Sequence, residues 1–140
     1  ESLIGTFANI GSNKFVQLSD GRYVFASGST LHIYNPISKV QTSRQISVWI
    51  EEIKSVGTTI YFRNYNSVYS LDLSQSNSSE VTIVSNLGQD SRIPAFDVVG
   101  TTVYYYSANY ITNVKKIYSK TGNSTPVEVY DNGNENDNLS

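Results

Sequence analysis

The chain has 140 residues, a length that suits one domain whose core buries roughly two-thirds of its unfolded surface. Its formal charge is −2, from 10 basic and 12 acidic residues scattered along the sequence, so no basic face for nucleic acid is legible. With no cysteine and no long apolar run, disulfides, thiolate nucleophiles, zinc–thiolate sites and a membrane-spanning helix are all excluded.

Residue choice points to an all-β protein. Eleven Tyr, five Phe and many Val, Ile and Thr favour strands, while Gly, Asn, Ser and Asp supply turns. Residues 1–13 contain a lone strand, "SLIGTF". Residues 14–48 hold strands at 14–18, 22–26, 30–34 and near 40–48. Residues 49–88 hold strands at 49–56, 58–62, 67–73 and 80–84, and residues 89–133 hold them at 94–99, 101–106, 114–119 and 127–130. Residues 134–140 read as a polar tail. Turn chemistry marks the joints: Asp20-Gly21, Val56-Gly57, Val99-Gly100 and Thr121-Gly122-Asn123.

These three segments are copies of one unit. "VGTTIYF" at 56–62 returns as "VGTTVYY" at 99–105, a spacing of 43 residues. At a spacing of 37, "GRYVFASGSTLHIYNP" from Gly21 lies without gaps on "TTIYFRNYNSVYSLDL" from Thr58. In the third copy "KKIYSKTGN" takes the part of "SVYSLDLSQ", after a loop, "SANYITN", that brings six extra residues. A four-stranded antiparallel sheet repeated at this period is the signature of a β-propeller blade. The competing architecture is a meander inside a sandwich or barrel, which also strings short strands at regular spacing.

The motif "IYFRNYNSVYSLDL" resembles the YWTD repeat of lipoprotein-receptor-type propellers, and "VGTTVYYY…KKIYSKTGNSTPVEVYDNG" is similar to bacterial relatives of that repeat in surface proteins of unknown function. The resemblance covers residues 14–133. Phe62-Arg63 stands where the family has Trp-Thr, and no copy has Asp directly after the aromatic, so the blade-bridging role of that Asp is not carried over. The resemblance implies a six-bladed ring and an extracellular, cell-surface or periplasmic setting. Three blades do not close a ring, so the expectation is a partial propeller completed by further blades of a longer chain or by a second copy, as a dimer or higher assembly.

No catalytic constellation is legible. His32 is the single histidine, sits in a strand, and has no Gly-x-Ser-x-Gly elbow to serve. "DNGNEND" at 131–137 lacks the order of a calcium loop, and Asp20, Asp72 and Asp131 suit turn capping. No cofactor or metal is expected. The expected site is a ligand-binding loop face comprising Arg63, Asn64, Tyr65, Asp90, Arg92, Asn109 and Tyr110. Tyr65 and Tyr110 fall in equivalent loops, and exposed Tyr beside Arg and Asn suits a glycan or protein ligand. Asn77 is the best of three Asn-x-Ser/Thr sequons for a glycan. The function expected is a non-enzymatic extracytoplasmic binding or scaffold module. The alternatives are a fragment of a propeller lyase or glycosidase, and a self-assembling structural protein.

Overall fold

The computed structural model describes residues 14–85 and 90–131. The lone strand at 1–13, the tail at 134–140 and part of the "NLGQDSR" connection lie outside the described residues. Within them are twelve strands: β1 (Phe15–Gln17), β2 (Tyr23–Ser27), β3 (Thr30–Asn35), β4 (Val40–Gln45), β5 (Glu52–Val56), β6 (Thr59–Arg63), β7 (Val68–Asp72), β8 (Val81–Val84), β9 (Ser91–Val99), β10 (Thr102–Asn109), β11 (Lys115–Thr121) and β12 (Val127–Asp131). They form three separate four-stranded sheets, each ordered as in sequence and antiparallel throughout.

Two hydrophobic layers join the sheets. Leu18, Val24, Ala26 and Leu31 of the first sheet meet Ile53, Ile60, Phe62 and Leu71 of the second. Tyr61, Val68 and Val84 of the second then meet Ile93, Phe96, Val103 and Tyr105 of the third. The period-two alternation of a strand sends Ile60 and Phe62 to one core and Tyr61 to the other. Burial on both faces is why "TIYFR" reads as a nearly unbroken apolar run. Burial fades outward, and every residue of β12 is exposed.

The hairpins pivot on glycines at positive φ. Gly57 and Gly100 take φ of 64° and 63°, a left-handed backbone that a side chain resists. Each sheet also carries one stacked ring pair across its second and third strands. Phe25 with His32, Phe62 with Tyr69 and Tyr105 with Tyr118 have centroids 4.9, 5.5 and 5.4 Å apart. The three pairs occupy equivalent positions of the repeat, which fixes the blade register in space as well as in sequence.

Several boundaries differ from expectation. The first strand of the second sheet starts at Glu52, leaving Trp49 in the preceding connection. In the third sheet β9 starts at Ser91 and β10 runs on through Asn109, so the "SANYITN" loop shrinks to its second half. Pro94, which cannot donate to a ladder, is accommodated because β9 is an edge strand with a register shift opposite Tyr106 and Ala108. Tyr104 is exposed, whereas Tyr61, its equivalent in the second sheet, is buried against the third.

Candidate functional site

The loops between second and third strands, and the connections from one sheet to the next, share one end of the molecule. Strand direction dictates this, because an antiparallel meander returns every second joint to the same end. There the structure brings together Arg63, Tyr65, Arg92 and Tyr110, with Glu51, Ile93 and Pro94, around a cleft of about 300 Å³.

The Arg92 guanidinium lies over two rings. Its central carbon is 5.6 Å from the Tyr65 centroid and 5.9 Å from that of Tyr110, within cation–π range. Both tyrosines remain 63% exposed, so they present ring area to solvent. Main-chain bonds hold this arrangement: Ile93 N donates to Tyr65 O at 2.6 Å, and Tyr110 N donates to Asp90 O at 2.9 Å.

Arg63 forms the floor. Its Nε donates to Glu52 Oε1 at 2.8 Å and another guanidinium nitrogen donates to Ile93 O at 3.0 Å, tying the second sheet to the third. Asn64 and Asn109 shape the loops. Asn64 Oδ1 accepts from Asn66 N, while Asn109 Oδ1 accepts from Ile111 N and Thr112 N and its amide donates to Ser91 Oγ. Asp90 contributes its carbonyl to the Tyr110 bond and is exposed. Neither asparagine lines the cleft.

Sequence reasoning missed Glu51, Ile93, Pro94 and one further residue, Trp49. Trp49 is 61% exposed and stands over Gly28, where an added Cβ would meet its ring at 3.4 Å. Ile50 N donates to Gly28 O at 2.9 Å, just as Ile93 N does to Tyr65 O. Shifting by the repeat therefore maps Trp49 onto Arg92 and Gly28 onto Tyr65. The 43-residue period contained this signal, since Trp49 and Arg92 are 43 apart.

The remaining polar candidates have structural surroundings. His32 Nδ1 lies 3.2 Å from Ser43 Oγ, and burial against Phe25 lowers its pKa below the usual imidazole value. Asp20 and Asp72 cap their own turns, at Arg22 N and Ser74 N, and these bonds lower both carboxyl pKa values; for Asp20 the Arg22 side chain is the main cause. Among the described residues no cluster of three or more metal-ligating side chains occurs. Asn77 is exposed in the β7–β8 loop, at the end opposite the cleft.

No protein-family model and no curated protein sequence matches this chain. Among solved structures it is similar to the N-terminal domain of Nup159, a β-propeller, with a TM-score of 0.54 at 13% identity over 84% of this chain. The sheets are β-propeller blades. The chain spans 29% of that domain's length, and the likeness extends to fold alone. No described helix is long and apolar enough to cross a membrane.

Proposed function

We propose that the chain is a binding module of an extracellular or cell-surface propeller, taking an extended ligand, glycan or peptide, across the loop face at the junction of blades two and three. The observation that carries this reading is Arg92 set between the exposed rings of Tyr65 and Tyr110 in an open cleft. Flat aromatic faces stack on sugar rings or peptide planes, and a guanidinium offers forked donors to hydroxyls, carbonyls or carboxylates. Trp49, the counterpart of Arg92 one blade earlier, is likewise exposed and lies over Gly28, which suits a chain-like ligand over a compact one. The setting rests on the resemblance to YWTD-type surface repeats.

Screening the folded chain against glycan and peptide arrays, with the Tyr65→Ala/Tyr110→Ala variant in parallel, tests this. A ligand retained equally by both proteins would place binding elsewhere.

A further inference from the structure

The repeat supplies an internal comparison for the seams between blades. In blade two, Val84 pairs across the ladder with Val68, and both are buried in the core shared with blade three. Blade one has Arg44 in that place, opposite fully buried Leu31. At the head of the second strand Arg22 stands where blade two, 37 residues on, has Thr59. Two arginines of blade one thus point toward blade two from positions that carry no charge one blade later.

Between them the seam of blades one and two opens into a second cleft, of about 310 Å³, away from the one at Arg92. Leu73, almost fully buried, and half-buried Ile33 form an apolar wall, while Thr42 and Gln75 are exposed at the rim. Such a volume lies at the small end of ligand pockets. Both guanidiniums are anchored without being saturated. Arg22 holds Asp20 through Nε at 3.0 Å and Nη2 at 2.9 Å, and Nη2 also donates to Leu73 O at 2.8 Å. Arg44 Nη1 donates to Ser76 O at 3.3 Å and its Nη2 to Ser78 O. Among the described residues no carboxylate pairs with Arg44. A guanidinium carries five N–H donors, and neither Arg22 Nη1 nor Arg44 Nε makes a hydrogen bond among the described residues. With Asp20 offsetting Arg22, the cleft keeps one net positive charge.

We infer that this cleft binds a carboxylate carried on a short apolar body, the carboxylate on the guanidinium donors and the body against Leu73 and Ile33. Forked N–H donors match the two oxygens of a carboxylate. One net positive charge suits a monoanion over a phosphate dianion, and an inorganic anion would leave the apolar wall uncovered. A free small acid and the C-terminal residue of a peptide both carry this chemistry. The inference is independent of the loop-face ligand, because none of its residues line that cleft.

NMR titration of the folded chain, read at each backbone amide, tests it with N-acetyl-leucine, N-acetyl-leucinamide, acetate and sulfate as probes. N-acetyl-leucine should shift the amides of residues 42–44 and 73–76. The other three should bind about tenfold more weakly or worse, since each lacks either the charged hydrogen bond or the apolar body. Arg44→Gln should weaken the acid by a similar factor. Thr42→Glu, an exposed change that sets a carboxylate at the rim, should block binding and serves if Arg44→Gln does not fold. A short peptide ending in leucine separates the two sources. Tighter binding than N-acetyl-leucine, lost on amidation of its terminus, identifies a chain end, and equal or weaker binding identifies a free acid. Equal binding of acid and amide, sulfate binding as well as N-acetyl-leucine, shifts confined to other residues, binding unaltered by these substitutions, or no binding of any acid at millimolar concentration would overturn the inference.

Discussion

The Arg63 guanidinium donates to the Ile93 carbonyl at 3.0 Å while its Nε holds Glu52 at 2.8 Å, so one side chain both joins two blades and supports the cleft above them. Both partners of this ion pair are mostly buried, at 14% and 17% side-chain exposure. Replacing Arg63 with Met should therefore cost about 1–3 kcal/mol, by leaving a carboxylate and a carbonyl under-satisfied. Urea unfolding monitored by circular dichroism measures it. An unchanged midpoint would show that the bridge contributes nothing net to stability.

Tyr65 and Tyr110 stand outside the cores. The double change to Ala should leave the melting temperature nearly unaltered, because little area returns to water that was not already there. Phe62→Ala, by contrast, empties a fully buried site between blades one and two and should cost ~3–5 kcal/mol. The contrast between the two variants in one thermal-denaturation series separates surface from core.

Gly57→Ala and Gly100→Ala isolate backbone strain. No atom lies within 4 Å of a Cβ added at either position, so sterics with the surroundings are not involved. The left-handed φ alone should cost about 1–2 kcal/mol, and Gly57→Asn should cost less, since Asn tolerates that region. Equal stability of the Ala and Asn variants would contradict the conformational assignment.

His32 makes stability depend on pH. Its folded-state pKa lies below the unfolded value of about 6.5, so the unfolded chain binds the proton more readily. Stability contributed by the neutral ring is present above about pH 6.5 and is lost as pH falls through that value toward the lower folded pKa. His32→Tyr, which copies the residue at the equivalent place in the other two blades, should flatten the profile between pH 5 and 7. Carboxylates such as Asp20 and Asp72, whose pKa values are also lowered, act in a separate window nearer pH 4.

The fold was legible in the sequence because its determinants are local. Glycine at each first hairpin and alternating apolar residues are written residue by residue, and the ungapped match from Gly21 to Thr58 forced one architecture on both copies. The grouping of Tyr65, Arg92 and Tyr110 was legible for the same reason, since equivalent joints must share an end. What stayed hidden depends on packing between blades. That Arg63 spends its donors on Glu52 and Ile93 O, or that Pro94 sits at a register shift, follows from how sheets two and three abut, which no single repeat encodes. Trp49 was hidden differently: hydrophobic and next to Ile50, it read as a strand start, and only comparison with Arg92 moves it to the loop face.

That placement has an optical consequence. Trp49 is the chain's single tryptophan, and at 61% exposure in the native state its indole already meets water. Its emission will change little when the two cores melt, so a denaturation curve followed through tryptophan fluorescence would report a nearly featureless transition in a cooperatively unfolding protein. The same indole holds on its own blade the position that Arg92 holds on the next, so a ligand lying along the proposed loop face would shield it. Tryptophan emission in this chain is thus a poor thermometer of folding and, under the proposed function, a built-in reporter of occupancy at the loop face.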